Sequence, residues 1–211
     1  MGKCYQGVFG DWQKKVGNVV GRIVNGVNVY SVYQPNVSNP NTIPQQTTRS
    51  KFTLLTKFFS TTDSVCAIGF KQNKKNGTWL SRAIKVNFAD GTTGTLPNLA
   101  LNFSKIIVSE GSIDLPYNVS AQMQGTDFSI SWTDNSGIGN ALETDKVMFV
   151  LYNKDKKQSI VVNDAADRST RQATYSVPSV WVGDTAEGYL AVRRAEGDEC
   201  SMSTYLGSFN M

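Results

Sequence analysis

From Pro116 onward the chain breaks into short runs of alternating or β-branched residues separated by turn signals, and that rhythm restricts the fold more than any other feature. The pattern predicts strands near Tyr117–Met123, Asp127–Thr133, Lys146–Tyr152, Gln158–Asn163, Gln172–Val177, Glu187–Arg194 and Ser201–Gly207. Seven strands in roughly ninety-five residues is the count of an immunoglobulin-like β-sandwich. Phe128, Ile130 and Trp132 alternate with Ser129, Ser131 and Thr133, so one face should enter a core while the other meets water. Asp134-Asn135-Ser136-Gly137 then closes that strand as a turn.

The preceding residues read differently. Val19 to Val24, then Asn25-Gly26, then Val27 to Tyr33 is a hairpin signal, because Asn-Gly readily takes the positive φ angles of a type I′ turn. Apolar residues fall on both faces of its second arm, so the ribbon is expected to pack on each side, against the following helix or a neighbouring copy. Pro35, Pro40 and Pro44 keep the next stretch irregular until Thr42 can cap a helix over Gln45 to about Phe59, with Phe52, Leu55 and Phe59 as its buried stripe. Val65 to Phe70 is a short apolar stretch, Thr78 to Phe88 a second candidate helix, and Leu99 to Phe103 and Lys105 to Ser109 are expected strands. The whole is expected to be mainly β or α+β, with a hairpin-and-helix region over 1–115 and a sandwich over 116–211.

Side-chain inventory narrows the chemistry. The 211 residues include no histidine, which removes the commonest general base and metal ligand and every Ser-His or Cys-His pairing. An ordinary hydrolase is therefore not expected, and neither a cofactor nor a metal is predicted. Cys4, Cys66 and Cys200 have no C-x-x-C spacing and are expected as free thiols in a reducing compartment. No apolar run is long enough to span a membrane, and Met1-Gly2-Lys3-Cys4-Tyr5 opens no secretory signal, so the chain is expected to begin where its gene does, in the cytoplasm. Net charge is +4, but residues 1–115 hold 13 basic and 5 acidic residues, against 8 basic and 12 acidic over 116–211. Such bipolarity favours head-to-tail association of copies, and it offers the basic part to an anionic polymer; a pair of merely solvated surfaces is the plainer explanation.

Trp132 within Ser129-Ile130-Ser131-Trp132, and Tyr189 within Glu187-Gly188-Tyr189-Leu190-Ala191-Val192 after the Val182-Gly183-Asp184-Thr185 corner, resemble the second-strand Trp and sixth-strand Tyr of a fibronectin type III module. That resemblance covers residues 116–209, implies no disulfide, and implies a binding, spacing or assembly role. The chain also resembles a domain-of-unknown-function family of gut anaerobes. The shared features are Met1-Gly2-Lys3, Gln6-Gly7-Val8-Phe9-Gly10, Lys15-Val16-Gly17-Asn18-Val19-Val20-Gly21, Asn39-Pro40-Asn41-Thr42 with Gln46, Arg49 and Phe52, and Ser203-Thr204-Tyr205-Leu206-Gly207. The Asn-Pro-x-Thr, Gln, Arg, Phe spacing is similar to small proteins encoded among phage structural genes.

Candidate contacts follow from these patterns. Lys71, Lys74 and Lys75 beside Trp79 and Arg82 could track phosphates while the indole stacks on bases, although lysines around Asn76-Gly77 also suit an exposed turn. Lys14, Lys15 and Arg22 near Trp12 form a second such group, with core packing of the indole as the other explanation. Arg49 suits an anchor to the Asn39–Thr42 loop or a neighbouring chain, an anion contact, or a solvated position. The glycines at 7, 10, 17 and 21 lack the order of a phosphate-binding loop, and Asp164, Asp167, Asp198 and Glu199 lack calcium-loop spacing. Phe128, Ile130, Trp132 and Tyr189 are the expected sandwich core. The leading expectation is a non-enzymatic subunit that self-associates in a large assembly such as a phage virion, as a capsid, head-decoration or tail component. A nucleic-acid-binding module, or a surface adhesion or glycan-binding module, are the other readings.

Overall fold

The computed structural model describes residues 12–24, 26–71 and 77–211. The chain divides into two compact units, 1–42 and 43–211. The first holds an antiparallel sheet of three strands in the order β1-β2-β3: β1 (Lys14–Val16), β2 (Val19–Val24) and β3 (Val27–Val32). The hairpin read from the sequence is therefore present in register, Val24 facing Val27 and Val19 facing Val32, with β1 added on its far edge. Asn25 of the expected turn lies outside the described residues. Gly21 is the one buried ribbon residue among those described; a Cβ there would collide with the Trp12 carbonyl.

The second unit opens with α1 (Ile43–Phe59), α2 (Asp63–Gly69) and α3 (Trp79–Asn87). The buried face of α1 is Leu55, Phe58 and Phe59, whereas Phe52 is 53% exposed. The i, i+3, i+4 stripe thus begins at Leu55 and the expected Phe52 falls outside it. The apolar run at Val65–Phe70 is helical, a distinction that a six-residue stretch cannot make from periodicity alone. Gly69 ends α2 directly on Ser109, where an added Cβ would come within 2.7 Å of the Ser109 Cα. Thr78 caps α3 by accepting from the Ser81 N–H.

The expected strand over 105–109 is not one. Its backbone is satisfied by side chains instead of a ladder: Asn87 accepts from the Ile107 N–H at 2.7 Å and donates to the Ile107 carbonyl at 2.9 Å, and the Val108 N–H donates to the Ser203 hydroxyl. Nearby, β4 (Thr92–Thr93) pairs with β5 (Ala100–Leu101), shorter than the expected Leu99–Phe103, and a single 3-10 turn follows over Phe103–Lys105.

Seven strands then build two antiparallel sheets. One has the order β10-β7-β6, from β6 (Tyr117–Gln124), β7 (Asp127–Thr133) and β10 (Gln172–Ser176). The other has the order β12-β11-β8-β9, from β8 (Lys146–Asn153), β9 (Gln158–Asp167), β11 (Thr185–Arg193) and β12 (Thr204–Asn210). Phe128, Ile130 and Trp132 of the first meet Val147, Phe149, Leu151, Leu190 and Val192 of the second in one core, the sandwich the spacing predicted. The alternate residues of the same strands, Met148, Val150 and Tyr152 on β8 and Tyr189 and Ala191 on β11, belong to a second core with the three helices. The four-stranded sheet is therefore a middle layer. Tyr189 is fully buried, but on the helical side and not inside the sandwich, its hydroxyl donating to the Phe103 carbonyl at 2.8 Å. The expected boundary at 115/116 falls within this unit, because neither the helices nor the outer face of the sheet has another core.

At one end of the sandwich a charged cluster is buried. Arg168 and Asp145 have fully covered side chains. Arg168 donates to Asp145 at 3.1 Å, to the Asn135 side chain at 2.6 Å and to the Asp114 carbonyl at 2.7 Å, while its own carbonyl accepts from the Trp132 indole. Asp145 also takes Arg194 at 2.7 Å and the Leu142 N–H at 2.9 Å. This cluster ties the 112–115 connection and the 134–145 loop to the sandwich.

Two substitutions test the layering. Phe58→Ala should cost about 3–5 kcal/mol and lower the whole 43–211 unit in one transition, seen as coincident far- and near-UV circular dichroism in urea. Asp145→Ala leaves a buried guanidinium with too little compensation and should cost about 3–5 kcal/mol in the same measurement.

Candidate functional site

The basic residues that drew attention in the sequence are placed unevenly. Lys71, just past α2, pairs with Asp198. Arg82 on α3 grips Glu110 with two nearly parallel bonds, 2.8 and 2.6 Å, and its pKa is raised, chiefly by hydrogen bonding to that carboxylate. Trp79 is half-buried against the helical core. Lys74 and Lys75 lie outside the described residues. In the ribbon, Lys14, Lys15 and Arg22 are exposed; Lys15 sits 3.5 Å above the Tyr33 ring, and Trp12 meets Tyr30 edge-on at 5.4 Å. Arg49 is exposed on α1, bordering a cleft with Ser50, Leu96 and Pro97.

The acidic residues considered for calcium are all engaged by cations: Asp164 with Arg193, Asp167 with Lys146, Asp198 with Lys71 and Glu199 with Arg194. No group of three potential metal ligands occurs among the described residues. Both described cysteines are free and buried, while Cys4 lies outside the described residues. Burial pushes the Cys66 thiol up to about 12, against a weaker opposing effect of its Thr62 hydrogen bond, and burial likewise raises Cys200.

A different constellation forms where α1, β5 and the turn between β8 and β9 meet. There a cleft of about 640 Å³ is walled by Leu54, Phe58, Leu101, Phe103 and Tyr152, with Lys57, Lys154 and Lys157 among its lining. The aromatic walls pack on one another, Phe58 to Tyr152 at 4.8 Å and Phe103 to Tyr152 at 5.6 Å between ring centres. Lys154 reaches Glu187, a carboxylate only 4% exposed, at 2.7 Å, and the Tyr205 hydroxyl donates to the other oxygen of that carboxylate. Burial raises the pKa of Tyr152, Tyr189 and Tyr205; the Glu187 charge adds to the effect on the last two. All three phenols are therefore neutral hydrogen-bond donors at ordinary pH. Lys57 and Lys157 are exposed and form no ion pair among the described residues.

The sequence reading missed this cleft, because its residues come from three segments about forty to fifty positions apart. Lys154-Asp155-Lys156-Lys157 looks like any solvated hairpin turn. The one available signal was the apolar run Val147–Tyr152 leading into it, too continuous for a strand with a wet face.

A family model described as a family of unknown function (DUF6266) matches residues 10–207, and the chain belongs to that family. No match was found among curated proteins.

The thiol environments have a direct consequence. With Cys4→Ser in place, the folded chain should react with an aromatic disulfide reagent far more slowly than the same chain in denaturant, by a factor of about 100 or more. The unfolded chain ionises Cys66 near its ordinary 9.0 while the folded chain holds that proton to about 12, so stability present below pH 9 declines as pH rises toward 12. Denaturant midpoints measured across that range check the sign.

Proposed function

We propose that this member of the DUF6266 family is a non-enzymatic structural subunit whose N-terminal ribbon docks on a neighbouring copy within a large assembly. The observation that carries the reading is the ribbon's exposed apolar surface. Val27 is 64% and Val32 70% exposed on opposite faces of β3, and Val16, Ile23, Val24 and Tyr30 are exposed too. A small sheet wet on both faces buries too little apolar area to explain its composition, whereas a protein-facing surface does.

Charge selects the neighbour. Residues 12–42 carry Lys14, Lys15 and Arg22 and no acidic residue, while residues 116–211 carry four more acidic than basic residues. A basic ribbon meeting the acidic sandwich of the next copy is a heterologous contact, which propagates into rings or filaments. Size sets its strength. Two strands of six residues and one of three, at about 3.3 Å per residue and about 4.8 Å apart, offer a face of about 240 Å², against about 800 Å² per partner in a stable complex. A single contact is therefore weak, and many contacts acting together hold the assembly. A phage particle, with this chain as a capsid, head-decoration or tail component, is an assembly of that kind, and the Asn39–Phe52 spacing supports it.

The nucleic-acid reading is less well supported, because Lys71 and Arg82 are engaged by the protein's own carboxylates. Light scattering decides between a lone chain and an associating one. At low salt the weight-average mass should rise with concentration, and Val27→Asp with Val32→Asp should return it to that of one chain. A strict monomer at millimolar concentration, with no recruitment into particles, would sink the proposal.

A further inference from the structure

The cleft beside α1 has the composition of a ligand site and none of its features is needed by the assembly role. We propose that it binds a small amphipathic carboxylate, its apolar body between Phe58, Phe103 and Tyr152 and its head group at Lys57 and Lys157. The volume, about 640 Å³, lies within the range of about 300–1,000 Å³ that encloses small organic ligands. Of the three lysines in the lining, Lys154 pairs with Glu187, while Lys57 and Lys157 form no ion pair among the described residues; Asp155, on the same turn as Lys154 and Lys157, accepts from the Thr185 N–H. Fixed positive charge over an apolar wall selects an anion with a hydrophobic tail over either property alone.

Tyr152 sharpens the chemistry. Its side chain is only 6% exposed, it lines the cleft, and its hydroxyl has no hydrogen-bond partner among the described residues. That hydroxyl borders the cleft and can donate to a ligand oxygen in place of water. Being neutral, it donates to an oxygen without adding charge. The lysines act as point charges and no arginine is in the cleft's lining among the described residues, so an anionic head group is held there by charge and by the Tyr152 hydroxyl, not by a bidentate fork.

Octanoate and 1-octanol, titrated into the full chain by calorimetry and by NMR, separate this proposal from plain hydrophobic adsorption. Octanoate should saturate at one per chain with Kd below about 1 mM, and octanol should bind at least about tenfold more weakly. Lys57→Glu with Lys157→Glu should weaken octanoate about tenfold or more and leave octanol unchanged, with an unaltered thermal midpoint because both positions are exposed. Ala100→Trp should obstruct both ligands, and Val32→Asp on the ribbon should affect neither. Equal binding of acid and alcohol, indifference to the lysine reversals, loss of binding in Val32→Asp, or no saturation by octanoate would each overturn the proposal.

Discussion

Strands β8 and β11 are apolar on both faces, and a sheet with two apolar faces cannot rest against a single layer. Val147, Phe149 and Leu151 require the opposing sheet, while Met148, Val150 and Tyr152 require something else. Each such side chain contributes about 1.5–3 kcal/mol on burial, so leaving one set in water would remove most of the stability of a domain this size. The helices supply the missing layer through Leu55, Phe58 and Phe59, and residues 43–115 are thereby bound into the same unit as the sandwich.

That layering also explains where polar groups are spent. Segments that pass between layers without a strand partner are satisfied by side chains, as Asn87 and Ser203 do for residues 107–108. The 134–145 loop and the 112–115 connection converge on Arg168, whose buried charge is tolerable because Asp145, Asn135 and a carbonyl surround it. The cluster links the 112–115 connection, the 134–145 loop and the end of β9 through hydrogen bonds to one guanidinium. The surface pairs, Lys71 with Asp198 among them, are screened by water and contribute little, yet they decide which cations remain available to partners.

Two surfaces are left without an internal purpose, and they differ in kind. The ribbon is basic and carries exposed apolar side chains on both faces, and the proposed docking rests on it. The cleft is concave, aromatic and lined by lysines, and the proposed small anion rests on it. The DUF6266 family match, over residues 10–207, spans the segments that form both. Among the described residues no helix is long and apolar enough to cross a membrane.

Much of the fold was legible in order along the chain. The hairpin, the helices expected from Gln45 and Thr78 and the seven sandwich strands follow from periodicity and turn chemistry, which act over a few residues, although β9 runs on to Asp167 and the last strand lies at Thr204–Asn210 instead of 201–207. The helix at 63–69 and the non-strand at 105–109 were not, since the first is too short to show a period and the second depends on partners twenty and ninety-five residues away. The site was hardly legible at all. Lys71 and Arg82 look available in the sequence but are met by Asp198 and Glu110 in the fold, while Lys57, Lys154 and Lys157 look ordinary in the sequence but border a cleft with Tyr152. By itself the sequence determined which segments are strands, which chemistry lacks its side chains and how charge is divided; tertiary structure alone decided which charges cancel and where a cavity remains, because both depend on distances between residues that the chain order leaves free.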